Sequence, residues 1–454
     1  MQKINYAFLV LGILIFAGCN LNLRDKKEAH SVSQTPAAEW IKDAVIYEVN
    51  VRQYTTEGTF EAFSEHLPRL HDLGIDILWF MPIHPIGEEN RKGTLGSYYS
   101  IRDYKAVNPE FGTMEDFQAV VRQAHELGMK VILDWVANHT AWDHQWITHH
   151  PEWYEKDSLG NMFGPFDWTD VAQLDYDNHD MREAMKDALE FWVREANIDG
   201  YRCDVAGMVP IDFWEDASAA LHQIKPVFML AEDEDETGLL NKAFNANYGW
   251  ALHHLLNELA QGTAKASDLQ AHIQEQQQKL PQGAFSMQFT TNHDENSWNG
   301  TVFERMGEAY PTLAALTFVV EGIPLIYTGQ EAGLNKQLQF FEKDEIDWTD
   351  LSMTKFYQQL IQLKKNNPAL WNGRAGGQMS YLTTNKPDQV LAFKRTLGNN
   401  SVYALFNLSN NTVDIQAEME LEGDFEDALT GEVLTLPTKL ELNPWAYRII
   451  SVNQ

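Results

Sequence analysis

The chain has 454 residues, with 34 Lys and Arg against 65 Asp and Glu and a formal net charge of −31 at pH 7. This length exceeds one average domain but suits a β/α barrel with a smaller companion domain. Hydrophobic residues make up 44% of the chain and charged residues 22%, which excludes a disordered, collagen-like or polytopic membrane protein. The acidic excess argues against nucleic acid as a partner, whereas neutral ligands carry no such penalty.

Residues 1–18 have the features of an export signal. Lys3 precedes an apolar run over residues 6–16, which is shorter than the ~20 residues of a membrane-spanning helix. The run ends in Phe-Ala-Gly-Cys and resembles a bacterial lipoprotein signal, in which Cys19 would carry the lipid; the alternative is an ordinary cleavage site. Residues 19–38 then form a polar tether. We expect export and lipid anchoring through Cys19 on the periplasmic or cell-surface face of a bacterial membrane.

From residue 44 onward, short apolar runs alternate with amphipathic helical stretches, the pattern of βα units around a parallel sheet. The eight apolar runs cover residues 44–51, 75–81, 131–136, 200–204, 227–232, 243–247, 284–290 and 324–327. Helical periodicity is clearest at residues 114–127, 181–196 and 310–320. Eight repeats predict an α/β fold, a closed (β/α)8 TIM barrel, over residues 39–365.

Two further parts interrupt or follow the barrel pattern. Residues 137–180 lack clear periodicity and exceed the length of an ordinary βα loop, so they predict a subdomain inserted after the third strand. From residue 366 the pattern changes to strand-like segments separated by turn residues. These segments cover residues 390–395, 401–408, 412–419 and 445–452. They predict a C-terminal antiparallel β-sandwich domain over residues 366–454.

The candidate site residues are the polar residues that directly follow the apolar runs, because TIM-barrel catalytic residues lie at the C-terminal ends of strands. The four segments are Asp-Trp-Val-Ala-Asn-His at 134–139, Arg-Cys-Asp at 202–204, Glu232, and Asn-His-Asp at 292–294. Glycoside hydrolysis needs one carboxylic acid to protonate the leaving oxygen and one carboxylate to attack or assist at the anomeric carbon. Three of these segments supply carboxyls for that chemistry, namely Asp204, Glu232 and Asp294.

Neighbouring residues indicate which of these carboxyls acts as the nucleophile and which as the general acid. Arg202 and Asp204 lie two residues apart on a strand and share a face, so the guanidinium is expected to keep Asp204 ionised as a nucleophile. Glu232 follows five apolar residues and precedes four acidic residues at 233–236. Burial and like charge are both expected to raise the pKa of Glu232, as a general acid at neutral pH requires.

Together, the four segments resemble the conserved regions of the α-amylase superfamily of glycoside hydrolases, family 13. Residues 74–82, 99–104 with 111–113, and 322–331 resemble further segments of the same family, in order along residues 40–365. The resemblance implies that Asp204 is the nucleophile, Glu232 the acid/base, and Asp294 a third carboxylate that binds sugar hydroxyls and stabilises the transition state. It also implies that Tyr99 stacks on the attacked sugar. The other implied substrate-binding residues are His139, Arg202 and His293.

The chain departs from the family pattern at two places. Gly207 and Met208 stand where many α-amylases have Lys-His beside the leaving group, so the leaving-group contacts differ. Calcium-dependent members use an Asn that matches Asn138 and an Asp where this chain has Gln173. Losing a carboxylate weakens a cage for a hard cation, so we expect no tight calcium site and no other metal or cofactor.

The resemblance favours a retaining α-glycosidase that hydrolyses α-1,4-glucosidic bonds of starch-like glucans or maltooligosaccharides through a covalent glycosyl-Asp204 intermediate. The alternatives in the same family are a transglycosylase, a sugar isomerase, or an enzyme that degrades cyclodextrin or neopullulan. A non-catalytic carbohydrate-binding relative would lack the three carboxyls. The short segment before residue 44 predicts an open cleft and cleavage inside glucan chains, unless the loop over residues 87–96 folds over one end. The sequence leaves the oligomeric state open.

Overall fold

The computed structural model describes residues 32–419, 421, 423–436 and 440–453. The predicted export signal over residues 1–18, Cys19 and the tether as far as residue 31 lie outside the described residues. Within the described part of the chain, no helix has both the length and the apolar character needed to cross a membrane.

Eight parallel strands close into a barrel, as the sequence predicts. Strands are numbered along the whole chain, and the barrel strands are β1 (Ile46–Val49), β2 (Ile77–Phe80), β3 (Lys130–Trp135), β6 (Gly200–Cys203), β7 (Phe228–Ala231), β8 (Ala246–Tyr248), β9 (Phe285–Gln288) and β10 (Ile323–Tyr327). Neighbours along the chain pair around the ring, and β10 closes it by pairing with β1. Each strand falls in one of the eight apolar runs or within a residue of it, because strands covered on both faces are apolar throughout.

The helices lie between the strands along the chain. They are α1 (Val51–Tyr54), α2 (Phe60–Ser64), α3 (Leu67–Leu73), α4 (Met114–Glu126), α5 (Gln145–His149), α6 (His179–Glu195), α7 (Ile211–Ile224), α8 (Trp250–Ala260), α9 (Ala266–Lys279), α10 (His293–Trp298), α11 (Val302–Met306), α12 (Tyr310–Val319) and α13 (Thr354–Asn366). Short 3-10 helices cover Glu39–Ile41, Pro151–Trp153, Ala206–Met208, Thr237–Asn241, Gly307–Ala309, Gln330–Ala332, Pro368–Leu370 and Gly373–Ala375.

Local sequence explains where α4 begins and which face it buries. Thr113 caps its N-terminus by accepting a hydrogen bond from the Asp116 backbone N–H, while the Asp116 carboxylate accepts one from the Thr113 backbone. Phe117, Val120 and Val121 lie three and four residues apart and are buried against the sheet.

The inserted segment after β3 contains a small antiparallel pair, β4 (His139–Ala141) with β5 (Val171–Gln173), and helix α5 lies between them. The pairing places Gln173 opposite His139. The insert therefore begins and ends beside the C-terminal end of β3, where it forms one side of the barrel mouth.

The C-terminal part consists of antiparallel sheets, which confirms the predicted strand type. One sheet has the order β11 (Met379–Tyr381), β12 (Val390–Leu397), β13 (Asn400–Asn407) and β18 (Tyr447–Asn453). Two pairs complete it: β14 (Val413–Ile415) with β17 (Leu440–Leu442), and β15 (Gly423–Glu426) with β16 (Val433–Leu436). Buried Arg395 on β12 donates to the backbone oxygens of Val320 and Trp371, which fastens this sheet to the barrel.

The described chain enters the barrel at the N-terminal ends of its strands. The Gln34 N–H donates to the Asn241 carbonyl at 2.7 Å, and the Asn245 side chain, just before β8, donates to the Pro36 carbonyl at 2.9 Å. Trp40 packs edge-on against Phe228, the first residue of β7, with ring centroids 6.3 Å apart. This entry point lies at the opposite end of the strands from the polar residues described next.

Candidate active site

The structure brings the seven predicted site residues together at the C-terminal ends of the barrel strands. Arg202 lies on β6 and Asp204 directly after it, Glu232 follows β7, and His293 with Asp294 forms the first turn of α10 after β9. The remaining two come from segments around the barrel mouth: Tyr99 from the loop after β2 and His139 from β4.

Arg202 is the centre of the charge arrangement and is fully buried. Its Nη1 donates to Asp134 Oδ1 at 2.8 Å and to Asp204 Oδ1 at 3.0 Å, and its Nη2 lies 2.7 Å from Glu232 Oε2. Its Nε donates to the Tyr248 hydroxyl at 2.9 Å. One guanidinium therefore holds three carboxylates, of which the sequence analysis did not select Asp134. The signal for it was present, since Asp134 directly follows three apolar residues, 131–133, of the β3 run.

Burial dominates the acidity of Asp204. It raises the pKa of Asp204 to about 6 although Arg202 opposes the rise, and the negative charge of Asp134 adds to it. The charge of Arg202 favours the ionised form of Asp204, as expected, but burial outweighs its effect on the pKa. The physical reason is that the single positive charge is shared with Asp134 and Glu232 in a site with little water.

Glu232 has the higher pKa of the two central carboxyls. Burial raises it to about 7 against the opposing effect of Arg202, and the charges of Asp204 and Asp294 raise it further. The expected direction is confirmed, but the acidic run at 233–236 is not its source. Glu232 Oε2 also accepts a hydrogen bond from the Val205 N–H at 2.9 Å.

Val205 has a strained backbone between the two central carboxyls. Its φ is 38°, in the left-handed region that a β-branched residue rarely adopts. Strain of this kind persists where surrounding contacts enforce it, and it is concentrated at functional sites. Here the unusual backbone aims the Val205 N–H at Glu232.

His293 is held by a residue that the sequence analysis missed. Its Nδ1 lies 2.5 Å from Glu48 Oε1, and its Nε2 lies 2.7 Å from the Tyr99 hydroxyl and 3.4 Å from Asp294 Oδ2. Burial opposes the positive charge of His293, but Asp294 and Glu48 outweigh it and raise the pKa to about 9. His293 is thus an imidazolium at neutral pH. Glu48 lies inside the apolar β1 run, and this lone buried acid was the available signal.

The other two ring-bearing residues also face the site. Burial lowers the pKa of His139 to about 4, so its imidazole is neutral at neutral pH. Its ring packs edge-on against Trp168 of the insert, with centroids 5.4 Å apart. The Tyr99 hydroxyl donates to Asp134 at 3.1 Å, and the Tyr99 ring lies parallel to Phe340.

Two cavities meet at Glu232. The first, of about 290 Å³, is lined by six of the seven predicted residues, with Arg202 bound beneath them. Its other walls are formed by Lys92, Ser97, Trp168, Asp170, Val171, Val205, Trp298, Phe340 and Phe341. The second, of about 440 Å³, is lined by Glu232 together with Gly207, Met208, Asp233, Trp250 and His254. Glu232 and Val205 belong to both cavities, so Glu232 stands at their junction.

The residues at the family's calcium position do not fit a calcium ion. The Gln173 amide donates to Glu155 at 3.4 Å, and the Asn138 amide nitrogen lies 3.2 Å from His139 Nδ1. Among the described residues, no group of three or more His, Cys, Asp or Glu side chains is arranged to hold a metal ion. Calcium prefers six to eight oxygen ligands, including carboxylates, and here the Gln173 amide, bonded to Glu155, replaces the carboxylate of the calcium-dependent members.

This site is typical of a TIM-barrel glycoside hydrolase. It has buried carboxyls around one arginine, and it opens into a cavity lined by aromatic rings at the C-terminal mouth of a (β/α)8 barrel. Residues 30–159 and 148–410 match the family model described as alpha amylase, catalytic domain. The chain therefore belongs to the alpha-amylase family.

Similar proteins span most of this chain. One is an alpha-amylase from Lactobacillus plantarum, known from a crystal structure, which is 32% identical in sequence and superposes with a TM-score of 0.82. The match covers 90% of this chain and 98% of that chain. A second crystal structure, of a noncanonic maltogenic alpha-amylase from Thermotoga neapolitana, is 28% identical in sequence and has a TM-score of 0.83. That match covers 91% of this chain and 99% of the Thermotoga chain. Alpha-amylase MalA of Haloarcula japonica is 27% identical over 87% of this chain, which spans 59% of that relative's length.

Proposed function

We propose that this protein is a retaining α-glycosidase that hydrolyses α-1,4-glucosidic bonds in starch-like glucans or maltooligosaccharides. The observation that carries the proposal is the pair formed by Asp204 and Glu232. Both contact the Arg202 guanidinium at one cavity, and the pKa of Glu232 is raised above that of Asp204. A shared guanidinium keeps the two carboxyls close, as the ~5 Å spacing of retaining enzymes requires.

The positions of the two carboxyls assign their roles, because Glu232 lines both cavities whereas Asp204 lines only the first. Asp204 attacks the anomeric carbon as a carboxylate and forms a glycosyl ester while the glycosidic C–O bond breaks. Glu232 gives its proton to the leaving oxygen. The resulting Glu232 carboxylate then takes a proton from water, and the water oxygen displaces Asp204 to restore both groups.

The remaining residues hold the sugar during these steps. The His293 imidazolium and the Asp294 carboxylate offer a charged donor and a charged acceptor to sugar hydroxyls. Tyr99 and Trp168 supply ring surfaces, and neutral His139 supplies a further polar group. Charged hydrogen bonds that strengthen as the ring flattens stabilise the transition state.

Two measurements test this proposal. Proton NMR during hydrolysis of maltooligosaccharides should show the α anomer first, and a β anomer as the first product contradicts the retaining mechanism. Asp204→Asn keeps the size of the side chain and removes the nucleophile, so turnover should be abolished while the fold is retained. Asp180→Asn, at an exposed position on α6, is the matched control and should stay fully active.

We also propose that the protein needs no tightly bound calcium, which is supported by the Gln173 amide at the family's carboxylate position.

We further propose that the protein is exported and anchored through a lipid on Cys19. The supporting sequence is the apolar run that ends in Phe-Ala-Gly-Cys at residues 16–19. Cys19→Ser should block processing or release the protein from membranes. Unchanged membrane association of that variant contradicts the anchor.

A further inference from the structure

A ten-residue segment, residues 87–96, crosses one side of the barrel mouth, and we refer to it as the strap. On one side it contacts the insert. The Glu88 N–H donates to Asp143 Oδ2 at 3.0 Å, and Lys92 Nζ lies 3.0 Å from Asp170 Oδ1. Asp170 is only 4% exposed, so this ion pair is partly withdrawn from water.

On its other side, the strap contacts the loop after β10. The Leu95 N–H donates to the Phe341 carbonyl at 3.0 Å, and the Thr94 N–H donates to Glu342 Oε1 at 2.9 Å. Gly93 has a φ of +64°, and a Cβ there would lie 2.4 Å from Phe341 Cβ. Only glycine allows this close approach. The strap is therefore fastened at both sides and joins the insert to the loop after β10.

The position of Glu232 shows which end of the substrate the strap faces. A general acid protonates the leaving oxygen, so it stands between the attacked sugar and the leaving group. The cavity that also holds Asp204 receives the attacked sugar and whatever precedes it toward the non-reducing end. The second cavity, beyond Glu232, receives the leaving group. Lys92 and Asp170 line the first cavity.

We propose that the strap closes the non-reducing end of the substrate site, so that the protein releases short units from chain ends, and that the Lys92–Asp170 pair sets their length. This inference rests on the proposed function. The first cavity is about 290 Å³, at the lower limit of the ~300–1,000 Å³ of small-molecule sites, which leaves room for little beyond the attacked sugar. Residues 87–96 are the loop that the sequence named as able to cover one end of an otherwise open cleft, and the proposal assigns them that role.

The test follows where a labelled chain is cut. Maltoheptaose carrying a fluorophore at its reducing end keeps the label on the leaving group. The wild-type protein should first yield labelled fragments shortened by about two glucose units or fewer. Lys92→Ala removes the pair with Asp170 and should shift the first cuts toward the label, with a severalfold rise in shorter labelled fragments. Lys92→Arg keeps the charge and should restore the wild-type pattern.

The control is Lys156→Ala. Lys156 is an exposed lysine of the insert that the strap contacts, and its replacement should leave the cutting pattern unchanged. First cuts near the middle of the labelled chain by the wild-type protein overturn the inference. A Lys92→Ala pattern identical to that of the wild type overturns the role of the ion pair. Failure of the proposed function looks different, because then no labelled fragment forms with any variant.

Discussion

At the scale of single residues, the Glu48–His293 pair determines the charge beside the attacked sugar. Both side chains are buried, and Glu48 Oε2 has no hydrogen-bond partner, so the pair is held mainly by the contact to His293 Nδ1. Arg202 and Asp294 are the nearest other charges, and they act on His293 in opposite directions. Glu48 is thus a positioning residue that keeps His293 charged.

Replacement of Glu48 tests this role. Glu48→Gln keeps the shape and removes the negative charge, so the pKa of His293 should fall from about 9 toward its ordinary 6.5. NMR titration of the His293 ring measures the shift directly. Between pH 6 and pH 8, the KM of Glu48→Gln should rise relative to the KM of the wild-type protein at the same pH, because only the variant loses a charged donor to the sugar.

The same substitution has a stability signature. A His pKa that is raised in the folded state stabilises the protein fully below the unfolded pKa, and this stabilisation is lost as the pH rises through the folded pKa. The melting temperature of the wild-type protein should therefore carry a decline between pH 6.5 and about 9 that Glu48→Gln lacks. Glu126→Gln, at an exposed position on α4, should behave like the wild type. A His293 titration still near 9 in Glu48→Gln contradicts the assignment.

The coupled carboxyls predict the pH profile of kcat/KM. Asp204 must be ionised and Glu232 protonated, so activity should fall below about 6 and above about 7, which gives a narrow bell. Glu232→Gln should remove the alkaline limb for substrates whose leaving group needs no proton, such as a fluoride. A profile that stays flat from pH 5 to 9 contradicts the raised pKa values.

At the scale of elements, helix α10 carries His293 and Asp294 into the site. A buried ionic cluster of Glu295, His253 and Arg305 fixes the position of this helix. Glu295 Oε2 lies 3.0 Å from His253 Nε2 and 3.5 Å from Arg305 Nη1. Burial alone would raise the pKa of Glu295, but the hydrogen bond and charge of His253 and the charge of Arg305 lower it to about 2. The cluster therefore connects α10 to α8 and α11.

Removing the charge of Glu295 should destabilise the protein. A lowered carboxyl pKa stabilises the fold above the unfolded value of about 4.5, and this stabilisation is lost as the pH falls through about 2. Glu295→Gln should lower the free energy of unfolding at pH 7, because it leaves the Arg305 guanidinium without this carboxylate. Denaturant unfolding measures it. Exposed Glu308→Gln is the control, and an equal effect of both variants contradicts the cluster's role.

The sequence predicted some elements well and others poorly for physical reasons. The barrel strands are buried on both faces and read as continuous apolar runs, so all eight were found. Strand β15 is a polar segment with mostly exposed residues, and β16 alternates buried and exposed residues over only four positions, which is too short for a clear pattern. In the site, carboxyls at strand ends were recognisable, whereas the role of Glu48 depends on a contact 245 residues away along the chain.

At the scale of the whole molecule, the proposed independence from tightly bound calcium predicts that chelators have little effect. EDTA should leave both activity and melting temperature nearly unchanged, because Gln173 donates to Glu155 where the family's carboxylate would bind the ion. Activity assays and calorimetry with EDTA, then with added calcium, check this. A melting temperature that drops with EDTA and recovers with calcium contradicts the proposal, since a ligand bound to the folded state stabilises it.

The entry of the chain beside Asn241 and Phe228 has a further consequence for orientation. Those residues lie at the N-terminal ends of the barrel strands, and the carboxyls lie at the opposite ends. If Cys19 carries the proposed lipid, the anchored part of the chain joins the barrel at the end of the strands opposite the catalytic carboxyls. Glucan chains would then reach the mouth of the barrel from the side away from this junction.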